Sequence, residues 1–421
     1  MALPRHDFEF DLVVAGGGAA GFFGALACAE VRPRARIAIL EKSREVLGKV
    51  RISGGGRCNV THACFDPREL VRSYPRGSRQ LIGPFHRWGP AETMAWFEER
   101  GVPLKIEDDH RVFPRSDDSA SIVDCLVREA AKAGIETRTG AAVEGVQPLE
   151  GGGFEVAIRG GGPPLRARHL LLTLGGTRNV SGAEIAAFLG HDLEPAAPSL
   201  FTFNVSDPLI AGLQGLSVEN ARVTVEGLDL SASGPLLITH WGLSGPAILR
   251  LSAWGARELR ERGYRFEIRV NWTGDFGEDA ILGRFAECRS TSPRRAAAND
   301  PQFGVPQRLW RRFFESAGAA ESLRWPHLTR ELARQIAGRL GDCRLAVTGK
   351  STNKDEFVTS GGVALSGVDF RTLESRATPG LFFAGEILDI DGLTGGFNFQ
   401  AAWTTGRLAG EAIGARLADG A

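Results

Sequence analysis

The chain is short of the features that most readily label a protein. Its six cysteines, Cys28, Cys58, Cys64, Cys125, Cys288 and Cys343, are scattered and form no Cys-x-x-Cys. Neither a disulfide framework nor a zinc site is indicated, no metal is expected, and a reducing cytoplasm is the expected compartment. Neither charge is in excess, because 50 Lys and Arg balance 50 Asp and Glu. The whole chain therefore offers no argument for nucleic acid or an anionic membrane as a partner. An uncharged run of 18 residues, Leu12 to Ala29, lies near the N-terminus, but glycines interrupt it. Glu9 and Asp11 precede it where a signal peptide would be basic, so a buried strand and helix are expected and no spanning segment.

What is present starts inside that run. DLVVAGGGAAGFFG, Asp11 to Gly24, sets a glycine-rich turn between an apolar strand-like run and an Ala-rich helix-like run. Gly16, Gly18 and Gly21 make Gly-x-Gly-x-x-Gly, with Ala19 and Ala20 in the interval. The first glycine serves a tight turn, the second lets the backbone approach a pyrophosphate, and the third lets helix and strand pack closely. Phosphates then meet a helix N-terminus, whose free N–H groups and dipole favour negative charge. A second apolar run, Ala35 to Leu40, ends in Glu41, 20 residues beyond Gly21, with Lys42 next. An acid there accepts hydrogen bonds from a ribose diol, so the order of elements points to an adenine dinucleotide.

Further along, Ser53, Gly54, Gly55, Gly56, Arg57, Cys58 and Asn59 read as a loop whose bare backbone can lie against a flat ring system. Arg57 would neutralise a pyrophosphate or a reduced flavin anion. Helices are expected over Ala91 to Arg100 and Ser121 to Ala133, the latter closed by Gly134, and Arg111 to Asp117 reads as a turn. Ala141 to Leu149 and Phe154 to Arg159 read as hairpin strands, with Val143 placed to meet adenine through its backbone. Leu170 to Gly176, containing Gly175, reads as a central parallel strand meeting the cofactor at its carboxyl end.

From about Pro195 to Gly349 the pattern changes to short strands and then helices, as in a barrel-like insert. Within it, His240 and Ser244 flank Gly242 on a constrained turn. They are read either as proton donors over a bound ring or as a packed His and a capping Ser. Arg284 to Arg344 holds twelve Arg, no Lys and six acids, a net +6. That is either a solvated helical face or a landing site for an anionic ligand such as the phosphates of NADPH. The last block repeats the pattern of the first, with Leu381 to Ala384 as a strand, then Gly385 and Glu386, then Asp391, then Gly395, Gly396, Phe397 and Asn398 opening a helix. That helix N-terminus would face the pyrimidine end of a flavin.

Taken together, GGGAAG, LEKS, SGGGRCNVTH, RVFP, THWGLSGPA, VTSGGV, TLES and PGLFFAGEILDIDGLTGGFNFQ resemble the BaiN-type family of bacterial FAD-dependent oxidoreductases, also described as aminoacetone-oxidase-like flavoproteins. The resemblance spans nearly the full length. It implies an α/β fold: a glutathione-reductase-like Rossmann FAD-binding domain made from residues 1–194 and 350–421, interrupted by a barrel-plus-helical domain at 195–349. Carried over by motif, Gly16, Gly18, Gly21 and Glu41 hold the ADP half. Gly54, Gly55, Arg57, Asn59, Gly385, Glu386, Asp391, Gly396 and Asn398 line the rest. Ala19, Ala20, Lys42, Lys49, Ser53, Cys58, Val143, Gly175, Gly395 and Phe397 complete the expected cofactor set. Where many relatives read Gly-Arg-Lys before the loop, this chain has Gly48, Lys49 and Val50. Cys58 and Cys64 are one residue further apart than the redox pair of flavoprotein disulfide reductases, and no second Gly-x-Gly-x-x-Gly follows in the middle of the chain.

The expected reaction is reduction of a conjugated C=C bond in a small organic substrate, with NADPH or NADH as co-substrate and His240 or Ser244 as proton donor. An amine-type oxidase using O2 and a non-catalytic flavin sensor or scaffold are the alternatives. The oligomeric state is left open.

Overall fold

In the computed structural model, residues 8–176, 180–351 and 358–419 are described. The chain forms two compact units, Met1–Ala197 with Val358–Ala421, and Pro198–Phe357.

The first unit is built on a parallel sheet. β1 (Phe10–Ala15) is flanked by β2 (Ile37–Leu40) and β4 (Leu165–Leu172), with β3 (Glu136–Arg138) beyond β2 and β5 (Leu381–Phe383) beyond β4. Leu12, Val13 and Val14 in β1 and Leu170, Leu171 and Leu172 in β4 are fully buried. Such unbroken apolar runs mark strands covered on both faces. The central strand expected at Leu170 starts earlier, at Leu165, and its polar first half pairs antiparallel with Phe154–Ile158 of the hairpin.

Two helices cover one another so closely that their backbones touch. α1 (Ala19–Val31) follows the first turn, and α2 (Phe397–Asp419) ends the chain. A Cβ on Gly406 would lie 2.4 Å from the carbonyl oxygen of Ala20, and one on Gly410 would lie 2.1 Å from that of Gly24. Glycine is required there because any side chain would occupy the partner helix.

Arg111–Pro114, read from sequence as a turn, is a strand. It pairs with Thr61–His62 on one side and Leu104–Ile106 on the other, and Val112 and Phe113 are fully buried. Four residues are too few to show alternation. The strand is defined by its partners, and Pro114 ends it where a missing N–H is tolerated.

The second unit is a closed barrel in the order Thr202–Val205, Gly242–Ser244, Ser231–Ile238, Ser217–Val225, Phe266–Asn271, Cys343–Ser351 and back to the first. Phe203, Val223, Leu236, Leu243 and Ile268 fill it, all fully buried. Beside it, Glu278–Thr291, Gln307–Ser316 and Arg330–Gly341 pack around Trp310, Trp325, Phe313 and Phe314. Ile336 and Leu340 face inward and Arg330 and Arg334 outward, as four-residue spacing on a helix places them.

Gly410→Val is expected to destabilise the protein by about 1–3 kcal/mol through overpacking. Gly338→Ala, at a helical glycine with open space around it, is expected to stabilise it by up to about 1 kcal/mol. Urea unfolding of the two variants beside the parent chain checks both.

Candidate functional site: a dinucleotide cradle closed by the last helix

The three glycines of the first turn divide as their spacing implied. Gly16 has φ +115°, and a Cβ on it would sit 2.4 Å from the Thr173 carbonyl oxygen; one on Gly21 would sit 2.0 Å from that of Gly16. A Cβ on Gly18, the residue capping α1, would meet nothing within 4 Å. Two glycines are therefore demanded by packing, and the middle one leaves open space at the helix N-terminus. Ala19 and Ala20, in the first helical turn, are both buried. Thr173 locks the turn by donating its hydroxyl to the carbonyls of Ala15 (3.0 Å) and Gly16 (2.8 Å).

Glu41 stands at the end of β2 with its carboxylate fixed by backbone donors, Gly17 N–H to Oε2 and Ser43 N–H to Oε1, both 2.9 Å. Ala141 N–H donates to the Glu41 carbonyl and Gly140 N–H to that of Ser43, each at 2.8 Å. These bonds tether the segment entering Val143 to the acid. Lys42 is exposed.

The second glycine turn, Ser53–Gly56, is tight, with Gly54, Gly55 and Gly56 at φ +58°, +68° and +86°. Ser53 Oγ donates to the Val50 carbonyl at 2.9 Å, while Cβ positions at Gly55 and Gly56 are open. Cys58 follows in a left-handed conformation, φ +60°. Burial pushes its thiol up to about 12, so it stays protonated and is a poor half of a redox pair. Arg57 lies 3.9 Å over the Phe113 ring and donates to Glu107 at 2.7 Å and Asp117 at 3.3 Å. Its charge is thus already engaged by two carboxylates.

Asn59 joins this loop to the other end of the chain. With its amide turned so that both ends are satisfied, its oxygen accepts from Gly396 N–H at 2.9 Å and its nitrogen donates to the Thr61 carbonyl at 3.0 Å. Gly395 and Gly396 have φ +119° and +94°, and a Cβ on Gly396 would lie 2.4 Å from the Thr61 carbonyl carbon. The Phe397 carbonyl accepts from Tyr74 Oη at 2.6 Å. Asn398 accepts from Gly392 N–H (2.8 Å) and donates to the Gly392 carbonyl (2.9 Å), pinning the loop before α2. Asp391 is fully buried and paired with Arg76 through both carboxylate oxygens.

Gly385, φ +76°, donates to Thr405 Oγ1 at 2.9 Å, and its Cβ position lies 2.9 Å from that of Ala20, so the segment after β5 sits on the first turn of α1. Glu386 accepts from Thr359 N–H at 3.1 Å and forms an ion pair with Lys49. Gly175, φ +75°, is open.

His240 and Ser244 belong to the barrel unit. His240 is exposed at the bend between Ser231–Ile238 and Gly242–Ser244, beside Trp241, which is 68% exposed. Ser244 Oγ is 3.0 Å from the donor Thr202 Oγ1. Sequence reasoning missed Thr173, Tyr74, Arg76 and His62. Only His62 carried a signal, as the end of the SGGGRCNVTH run.

A parallel sheet with a glycine turn at a helix N-terminus, an acid after the second strand, and a C-terminal segment folded onto the first helix define a Rossmann-type flavoprotein. The chain belongs to the HI0933-like protein Rossmann domain family, which matches residues 10–412. It is 29% identical to a 3-dehydro-bile acid delta(4,6)-reductase of Clostridium scindens, over 96% of this chain and 98% of that one. It is also 29% identical to a ribosomal RNA dihydrouridine synthase of Escherichia coli, over 94% of this chain and 96% of that one. Among solved structures, a 3-ketosteroid-delta4-(5alpha)-dehydrogenase from Rhodococcus jostii RHA1 superposes with TM-score 0.52 at 15% identity, covering 97% of this chain and 98% of that one. At that identity the likeness is one of fold. The protein is an FAD-dependent oxidoreductase. The open space at Gly18, Gly55 and Gly175, beside glycines closed by packing, fits a cofactor lying along these turns.

Removing one partner of the buried Arg76–Asp391 pair leaves a buried charge uncompensated. Arg76→Met is expected to cost about 3–5 kcal/mol in unfolding free energy, and adding Asp391→Leu to recover part of that loss.

Proposed function

We propose that the protein reduces a carbon–carbon double bond conjugated to a carbonyl in a small organic substrate, with NADPH or NADH as donor, in the cytoplasm. The observation that carries this reading is the pair of full-length relatives. One is named for a delta(4,6)-reduction of a 3-dehydro-bile acid and the other for making dihydrouridine. An unsaturated 3-ketone and the uracil ring are different molecules, but each offers a double bond polarised by a carbonyl. Among the described residues no helix is long and apolar enough to cross a membrane.

Bound FAD supplies hydride transfer between donor and acceptor. The chain's part is to hold it. In this reading Gly18 and the N-terminus of α1 would hold the pyrophosphate, because free N–H groups there favour anions. Glu41 would accept from the ribose diol, and the backbone at Val143 would hold adenine. Gly54 and Gly55 would hold the ring system, with the Gly395–Gly396 turn and the first N–H groups of α2 holding its pyrimidine end. Lys49 is 61% exposed in its pair with Glu386, so little holds it there and it is free to swing to a phosphate. The proton donor we propose for the substrate is His240 or Ser244.

A second substrate, uridine within RNA, is favoured by one feature of the insert. Arg294, Arg324, Arg330 and Arg334 are exposed and have no carboxylate partner among the described residues. Exposed arginines suit a phosphate backbone.

The FAD-loaded protein mixed anaerobically with NADPH or NADH is expected to lose its visible flavin absorbance, and a cyclic enone is expected to restore it. Restoration by a uridine-containing RNA and not by enones would move the substrate to RNA. Indifference to both nicotinamides, with peroxide formed from an amine in air, would replace the reductase with an amine-type oxidase.

A further inference from the structure

We propose that His62 is a positioning residue for the redox end of the cofactor, fixing the Gly395–Gly396 turn through the Gly395 carbonyl. The inference rests on the reading that this turn receives the flavin's pyrimidine edge.

The geometry is specific. His62 Nδ1 is 3.1 Å from the Gly395 carbonyl oxygen. A carbonyl only accepts, so Nδ1 carries the proton and donates. The imidazole stacks on Phe397, with ring centroids 4.5 Å apart and planes 28° apart. One side chain thus contacts the residues on both sides of Gly396. A Cβ on Gly395 would lie 3.3 Å from the Phe397 ring, a tight approach, and 3.5 Å from His62 Nδ1, an ordinary contact.

The strand carrying His62 is itself held. Thr61, fully buried, donates its hydroxyl to Gln400 Oε1 of α2 at 2.6 Å, and Thr61 and His62 pair with Val112 and Arg111. His62 is therefore a rigid stop for the turn.

The charged neighbours come from the hairpin packed on the other side, Asp109, His110 and Arg111, with the His110 ring 6.1 Å away. Burial lowers the His62 pKa, the Gly395 bond opposes that, His110 lowers it further, Asp109 raises it and Arg111 lowers it; the net direction is down. The ring is thus neutral at pH 7, with Nδ1–H donated to the turn and Nε2 bare. A folded-state pKa below the unfolded value means the unfolded chain takes the proton first. The contribution of His62 to stability is full above about pH 6.5 and declines as pH falls toward the lowered value.

The test compares FAD dissociation constants, read by quenching of FAD fluorescence, for H62F, H62N and G396A beside the parent. H62F keeps an aromatic stack and lacks the donor; H62N places an amide N–H where Nδ1 lies. The expected result is about tenfold weaker FAD binding for H62F, within about threefold of parent for H62N, in line with one lost hydrogen bond. Apoprotein melting between pH 5 and 8 should show a shallower acid decline in both His62 variants, which also establishes that they fold. If G396A loses FAD while H62F binds as tightly as the parent, the role of His62 is overturned and the turn's assignment stands. If G396A binds FAD like the parent, the assignment of the turn falls, and His62 with it.

Discussion

The contact on which the rest depends is backbone against backbone, where the first helix meets the last. With a Gly410 Cβ position 2.1 Å from the Gly24 carbonyl and a Gly406 Cβ position 2.4 Å from that of Ala20, no other residue leaves room for this approach. It is what carries the chain's last segment back to its first turn. Gly385 then rests on Ala20, and Gly396 sits under Asn59 and Thr61. The proposed cofactor path from Glu41 to Gly396 spans both ends of the chain, and these two helices cannot separate without opening a gap in the core. The sequence distance between the halves, which would otherwise raise the cost of closing the loop, is absorbed by an insert with its own barrel core.

Charge in the cradle is largely settled before any ligand arrives. Arg57 faces Glu107 and Asp117, Arg76 faces Asp391, and Lys49 faces Glu386. In the proposed reading, a cofactor that brings two phosphates would be met chiefly by oriented backbone N–H groups at helix N-termini, which require no side chain to reorganise. The three pairs differ in how tightly they are committed. Arg76 and Asp391 are 11% and 0% exposed, so breaking them is costly and their role is to hold the loop before α2. The exposed Lys49 is the one cation of the three that can change partners at little cost.

The parts legible in the sequence are those set by local rules. Gly16, Gly18 and Gly21, the acid at Glu41, the apolar run Leu12 to Ala15 in β1 and the glycine pair opening α2 each follow from the conformation of a few adjacent residues. What was not legible depends on partners far along the chain. Arg111 to Pro114 becomes a strand only because Thr61 and Leu104 arrive on either side. Tyr74 reaches Phe397 across 323 residues and Arg76 reaches Asp391 across 315, and no local pattern announces either. Arg57 shows the converse limit. Its place in a glycine loop suggested an anion, yet two acids from the neighbouring hairpin take its guanidinium.

The relatives constrain where substrate choice is written. A bile-acid reductase and a ribosomal RNA dihydrouridine synthase match this chain at the same 29% identity over nearly the whole of each. Neither length nor the order of elements can then distinguish a steroid from a nucleic acid. In the proposed reading the glycine turns and Glu41 respond to the cofactor, so they would not distinguish them either. Choice is left to side chains that the fold does not need, such as exposed Trp241 beside His240 and the exposed insert arginines that have no carboxylate partner among the described residues. A flat exposed aromatic suits a ring system of either kind, but four exposed arginines without carboxylate partners among the described residues suit an extended anion or solvent. The reductase chemistry and the identity of its substrate are therefore separate questions, resting on different residues.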